Sequence, residues 1–448
     1  MITKIKVDGF KSLNNFELEI KTGINILVGP NGSGKTNIIL FFEFLSNLVS
    51  QDLHTSVTKA GGAGAIFRKI GETEYDNSIK CCVEGCRKFK NSNYIKYNYS
   101  FTVGTSFDKD FLFFEEQHLK AKIVTVFTTE SDIESWDLEL LQEKYSAAVK
   151  KSKLRLKSIN LEKFKPRFLQ ESKGKKKQDV IETGNKYLSD YNFLTTSIVQ
   201  SSFSFGEACH YIYVDFKGGE TFNIVPSKVK QPEDSSNPPG IKKDGSGLAN
   251  TLYAMKKSKP SSSFTFPFIF FNEYIDYNAF NKEVLDKIIE NVKLANRSIL
   301  KLDVTNDPFD NQLLVKVYIK AASGSTVLPL SAMSDGTIKW ITLITAILTS
   351  REIFSIEEPE NFLHPLMQAE IVNIMRNTFD KKDKESFIIM TTHSETLLNY
   401  SNPEEVIIAS LNDGNTTAKR LENPELINQE VINTGFGLGY YYVSEALN

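Results

Sequence analysis

Apolar and polar positions fall into successive regimes along the chain. Near the start, Ile24-Asn25-Ile26-Leu27-Val28 is an almost unbroken apolar run, the pattern of a strand covered on both faces. A glycine-rich stretch follows, and then Ile38-Ile39-Leu40-Phe41-Phe42, which reads as an apolar helix. From 51 to about 125 the period shortens to two, as in Tyr94-Ile95-Lys96-Tyr97-Asn98-Tyr99-Ser100-Phe101 and Asp110-Phe111-Leu112-Phe113-Phe114-Glu115. That alternation predicts an antiparallel sheet with one polar face. From about 131 to 205 the pattern reads as helical, with Leu138-Glu139-Leu140-Leu141-Gln142-Glu143-Lys144-Tyr145 as its example, and it includes the basic run Lys173-Gly174-Lys175-Lys176-Lys177. Residues 226–247 have no period and read as a loop, and an amphipathic helix returns near 279–297.

After about 300 the order is strand, polar loop, helix, strand, helix, strand. Ile353-Phe354-Ser355-Ile356 and Phe387-Ile388-Ile389-Met390 are short apolar runs suited to covered parallel strands, and Glu405-Val406-Ile407-Ile408-Ala409 predicts a last strand. Two α/β-type ends around a long mixed insertion predict one head assembled from both termini. The expected divisions are an N-terminal lobe at 1–125, a mostly helical insertion at 126–300 and a C-terminal lobe at 301–448.

Composition narrows the setting. The chain has 448 residues, 41% of them hydrophobic, and a formal charge of −2, enough apolar material for a large core and too little positive charge for wholesale nucleic-acid coating. No apolar run is long enough to span a membrane, and Met1–Asp8 alternates like a strand rather than a signal peptide. Four cysteines in such a length form no disulfide framework, so a reducing cytoplasm is expected. Cys81, Cys82 and Cys86 lack a C-x-x-C pair and a fourth ligand, and read as apolar positions of a strand rather than as a zinc site.

The glycine-rich stretch Gly29-Pro30-Asn31-Gly32-Ser33-Gly34-Lys35-Thr36 matches G-x-x-x-x-G-K-[ST] in full, between the required strand and helix. Glycines let backbone N–H groups turn inward around phosphate oxygens, and the following helix presents its positive end. Asn31, Gly32, Ser33, Gly34, Lys35, Thr36 and Asn37 are therefore candidate nucleotide contacts. Lys35 would reach the β- and γ-phosphates of ATP, and Thr36 would offer a hydroxyl to Mg²⁺.

Two carboxylates, Glu357 and Glu358, end the strand Ile353–Ile356, where ligands of parallel sheets sit. One can hold a metal and the other can activate water. On an extended strand the two would point to opposite sides. A second strand end carries His393, placed to hydrogen-bond a γ-phosphate or water. Upstream, Ser334-Asp335-Gly336-Thr337 opens a helix and reads either as a second anion receptor or as a plain N-cap by Ser334.

In this order, the phosphate loop, the Ser334–Thr337 loop, Glu357-Glu358-Pro359-Glu360-Asn361 with Leu363-His364-Pro365, and Thr392-His393-Ser394 resemble an ABC-type ATPase head of the RecF, Rad50 and SMC branch. The likeness is greatest to the AAA-21 or OLD-like ATPases of prokaryotic anti-phage defence, over the first 50 residues and about 300–448. The fold this implies is α/β: a P-loop NTPase head of ABC type with a mixed sheet, an antiparallel β-subdomain and a helical insertion.

The resemblance implies that the Ser334 and Gly336 loop of one copy caps the γ-phosphate held by another. It gives Glu357 and Thr36 the metal, Glu358 the catalytic base, His393 the γ-phosphate, and Lys11 a place near the nucleotide. Asn361–Pro365 would lie at the dimer seam. Glu357 stands where many such heads have Asp, and Ser-Asp-Gly-Thr replaces Ser-Gly-Gly-Gln. The glutamine loop of the wider family has no evident counterpart.

No nuclease domain of ordinary size fits after His393, and no heptad run is sustained. The expected function is ATP hydrolysis by a dimer, or an assembly of dimers, that controls a separate effector such as a nuclease, on the pattern of Septu or PARIS ATPase subunits. The alternative is a RecF-like ATPase that clamps DNA, for which the 173–177 lysines are a candidate surface. A nucleotide-locked structural protein is disfavoured by Glu358, since a lock needs no base.

Overall fold

The protein is described from a computed structural model covering residues 1–90, 92–106, 111–125, 135–145, 153–169, 176–189, 191–218, 220–258, 280–322, 324–349, 353–381 and 386–444. The apolar run Gly23–Val28 is a strand buried along its length after the first residue. It lies third in a six-stranded sheet ordered Asn415–Arg420, Val406–Asn412, Gly23–Val28, Phe387–Thr392, Ile353–Glu357, Glu220–Phe222. The hairpin Val406–Arg420 is antiparallel, and the pairings from Val406–Asn412 to Glu220–Phe222 are parallel. Val28 stands opposite Thr392 on one side and Ile408 on the other, and Glu357 opposite Thr391. Strands from both ends of the chain thus finish at one edge, where a parallel sheet presents its ligand crevice.

A seven-stranded antiparallel sheet runs Phe16–Glu19, Ile2–Asp8, Ser78–Lys90, Asn93–Ser106, Phe111–Thr125, Leu138–Gln142, Leu154–Ile159. Cys81, Cys82 and Cys86 lie in its third strand and take part in no disulfide. The helical reading of Leu138–Tyr145 is corrected here. Leu138, Leu140 and Gln142 face inward and Glu139 and Leu141 are half-exposed, a period of two that a neighbouring pair of leucines disguises as helix. Gln142 is buried, and Gln117 of the adjacent strand donates to its side chain at 2.7 Å. Helix occurs beyond it, at Lys177–Leu188 and Glu207–Lys217. A third, smaller sheet is built on Ile299–Asn306, Gln312–Ala321 and Gly324–Pro329.

The helix after the phosphate loop, Lys35–Ser50, joins the two large sheets. Phe41 meets Phe10 edge-on at 5.3 Å, and Phe42 meets Phe387 of the parallel sheet at 6.0 Å. Each such fully buried ring contributes about 1.5–3 kcal/mol of burial free energy. A second helix, Asp335–Thr349, is buried continuously from Thr337 to Ile347. Its Trp340 Nε1 donates to the Asn291 carbonyl at 3.1 Å, on the amphipathic helix Lys282–Ala295 expected near 279–297. Among the described residues no helix is long and apolar enough to cross a membrane, and no group of His, Cys, Asp or Glu could hold a metal as a ready-made cluster.

Candidate functional site

The phosphate loop turns through Gly32 at φ 83° and Gly34 at φ 92°, a region L-residues rarely adopt. Gly34 caps the helix Lys35–Ser50 with no side-chain bond, which leaves the first-turn N–H groups for an anion. Lys35 is buried, and its Nζ donates to the carbonyls of Gly29 at 2.9 Å and Pro30 at 3.1 Å. Burial pushes its ammonium below the ordinary lysine range, and the charges of Glu358 and Glu360 pull it back. Ser33 Oγ is buried with no hydrogen-bond partner. An orphaned hydroxyl, free helix N–H groups and a half-desolvated ammonium in one loop suit a phosphate chain. Thr36 is exposed in the first helical turn.

The loop is braced by a hairpin that the sequence did not point to. Ser12 Oγ and Thr416 Oγ1 lie 2.6 Å apart, and the Thr416 N–H donates to the Ser12 carbonyl at 2.7 Å. Asn37 donates its side-chain amide to Ser12 Oγ at 2.7 Å, so this expected nucleotide contact is committed to the brace. Lys11 precedes it at φ 51°, its N–H donating to Ile66. Asn31 and Gly32 lie at the exposed rim of the loop.

The two acids separate for a reason other than strand alternation. The strand ends at Glu357, and Glu358 already has a left-handed backbone at φ 41°. Its N–H is held by the Thr391 carbonyl at 3.1 Å, and its carbonyl accepts from Lys339 Nζ at 3.1 Å. Burial raises the Glu357 carboxyl above the usual range, partly opposed by Lys243, which itself pairs with Glu43 at 2.8 Å. Asn223 follows the edge strand Glu220–Phe222 directly, and since Phe222 pairs with Ile356 it comes level with Glu357. Neither Asn223 nor Lys243 stands out in the sequence: Asn223 follows a three-residue strand with no pattern of its own, and Lys243 lies in a loop that meets it through the Asn223 N–H donating to the Lys243 carbonyl at 2.7 Å.

His393 Nε2 stands 3.7 Å from Glu358 Oε1. Asn361 Nδ2 donates to the other oxygen of Glu358 at 2.9 Å. Glu360 seats the histidine: its Oε1 accepts from the His393 N–H at 2.7 Å and from Thr392 Oγ1 at 2.8 Å, while its Oε2 is buried without a partner. Glu358 and Glu360 therefore lie within electrostatic reach of Lys35, and His393 is held beside them.

Ser334 realises the N-cap reading: the Thr337 N–H donates to its Oγ at 3.3 Å, and the Ser334 and Thr337 hydroxyls share a hydrogen bond at 2.9 Å. The cap is exposed, and Asp335 pairs with Lys230 at 2.7 Å. A β-carbon on Gly336 would come within 2.6 Å of the Phe362 carbonyl, so the first turn of this helix lies directly on the segment that follows the acids. Phe362 and Leu366 beside it are 63% and 58% exposed. Among the described residues no hydrogen bond or ion pair joins Ser334–Thr337 to Gly29–Thr36. Of the lysines at 173–177, Lys176 and Lys177 start the helix Lys177–Leu188 and the others lie outside the described residues.

Two family models match the chain. One, described as "AAA ATPase domain", covers 1–205, and the other, described as "AAA domain, putative AbiEii toxin, Type IV TA system", covers 226–399. A 39-residue segment is 46% identical to the DNA double-strand break repair Rad50 ATPase of Methanopyrus kandleri, a match that spans 9% of this chain and 4% of that protein. Among solved structures, an Smc head bound to the C-winged helix domain of ScpA aligns over 95% of this chain and 99% of its own at 12% identity and TM-score 0.47. An SMC head domain from Thermotoga maritima aligns over 94% and 99% at 9% identity and TM-score 0.41. The fold is that of a P-loop ATPase: the AAA ATPase domain model contains the phosphate loop and the AAA domain model contains Glu357, Glu358 and His393, and the chain is an ATPase.

Proposed function

We propose that this P-loop ATPase closes on ATP as a pair of copies, and that the closed pair controls a separate effector protein such as a nuclease in prokaryotic anti-phage defence. The observation that carries the reading is the Ser334–Gly336 turn. It is an exposed helix start, set beside exposed Phe362 and Leu366 and unconnected to its own phosphate loop, so its natural anion is a phosphate on another copy. The description naming a toxin of a Type IV TA system supports an effector-linked role.

Lys35 and the loop N–H groups would grip the β- and γ-phosphates, and Ser33 would supply its free hydroxyl. Mg²⁺, when bound, would neutralise phosphate charge, and Thr36 and Glu357 would be the residues that hold it. Glu358 would accept the proton of the attacking water as its oxygen bonds to the γ-phosphorus and the bond to ADP breaks. His393, fixed through Glu360, would hold a γ-phosphate oxygen. Static light scattering of the Glu358→Gln variant tests the pairing: ATP should double its mass, and a single-copy mass at saturating ATP sinks the reading. A chain expressed with its neighbouring genes should retain one of their products on purification.

The Rad50 segment favours a second reading, a DNA clamp. ATP-strengthened, salt-sensitive DNA binding without a retained partner would select it.

A further inference from the structure

Lys339 is only 2% exposed, a rare position for a lysine, and it lies on the buried face of the helix Asp335–Thr349. Neither the phosphate loop nor the acids require an ammonium there. Yet its Nζ donates to the Glu358 carbonyl at 3.1 Å and stands over the Phe362 ring at 5.8 Å. Gly336, one turn earlier, meets the Phe362 backbone. The helix that begins at Ser334 therefore grips the segment 358–362 at two places, and one of them is the peptide that fixes the direction of Glu358. That peptide is held at φ 41°, a strained geometry for a glutamate that persists only when neighbours impose it. Thr391 holds its N–H side, on the rigid strand Phe387–Thr392. Lys339 holds the carbonyl side, on the helix whose exposed start is the cap.

We propose that Lys339 is a positioning residue for hydrolysis, which carries the engagement of the Ser334 cap with a second copy's phosphate into the placement of Glu358. This inference rests on the paired reading above. A helix start drawn toward an anion moves Lys339 with it, since Lys339 lies barely more than one turn along. The Glu358 peptide is the partner that must follow. Burial brings the Lys339 ammonium down to about 8, with Glu360 and Glu358 opposing the fall, so a charged amine is retained here at a desolvation cost that a methionine would avoid.

The test compares Lys339→Met and Lys339→Arg with the parent chain, alone and combined with Glu358→Gln. Lys339→Met should lower kcat at least tenfold with KM for ATP changed less than about threefold, and Lys339→Arg should recover a large part of the loss. In the Glu358→Gln background both should still bind ATP and pair. An unchanged kcat in Lys339→Met overturns the proposal, as does a loss confined to KM. Should Lys339→Met fail to fold, Lys339→Arg decides alone: a kcat within threefold of the parent supports a charged donor, and a loss equal to that of Glu358→Gln overturns it. If Glu358→Gln itself never pairs on ATP, the paired reading has failed and the coupling to a second copy with it, and the kcat comparison then reports only on the placement of Glu358 by Lys339.

Discussion

Thr416 presses on Gly34 so closely that a β-carbon on the glycine would come within 1.8 Å of the threonine Oγ1. The phosphate loop is thus shaped from outside by a hairpin from the far end of the chain as well as by its own glycines.

Gly34→Ala should therefore do more than restrict a turn. Left-handed strain costs about 1–3 kcal/mol, and the collision with Thr416 adds to it. Binding of a fluorescent ATP analogue should be lost, and adding Thr416→Gly should restore stability in urea melts more than it restores binding. Gly32→Ala, at φ 83° with nothing within 4 Å of its β-carbon, should be the milder change.

Ser334→Asp separates the two roles of this position. Aspartate is as good an N-cap as serine, so the melting temperature should hold. Its charge would face the incoming phosphate, so ATP-driven pairing and hydrolysis should both fall. Ser334→Ala should instead cost about 0.5–2 kcal/mol of stability through the lost cap. Parallel melts and light scattering would distinguish the patterns.

Glu360→Gln weakens the seat of His393. Two hydrogen bonds to a charged acceptor become neutral ones, a loss of about 1–3 kcal/mol. Hydrolysis should fall at least tenfold while ATP binding persists. Normal turnover in this variant would detach the histidine from the chemistry.

Leu140→Ala in the strand Leu138–Gln142 should destabilise the fold by about 2–5 kcal/mol, and Leu141→Ala by less than about 1 kcal/mol, since Leu140 is fully buried and Leu141 half-exposed. Equal losses at both positions would contradict the alternation.

What the sequence made legible follows from where its signals are local. The run Ile24–Val28 and the glycines after it announce a buried strand and a phosphate loop together, because one uninterrupted stretch encodes both. The acids and His393 were legible for the same reason: each ends an apolar run. Thr416, Ser12, Asn223 and Lys339 were not. Their roles come from partners distant in sequence, as with Ser12 and Thr416, which meet across 404 positions. The strand Leu138–Gln142 failed differently, since adjacent leucines satisfy the helical and the extended period over so few residues. The direction of Glu358 was misjudged because a left-handed glutamate carries no sequence mark.

The place of Gly23–Val28 between Phe387–Thr392 and Val406–Asn412 has a consequence for how the molecule comes into being. During synthesis the phosphate-binding stretch leaves the ribosome before either of its sheet neighbours, with both of its hydrogen-bonding edges open. Its two neighbours arrive only after about 360 further residues, roughly 20–70 s later at ordinary elongation rates. Until then the nascent chain owns the fingerprint of a nucleotide enzyme without the means to act as one. A chain cut short before Phe387 lacks both strands that flank the phosphate-binding stretch, so it carries the motif without the sheet that supports it.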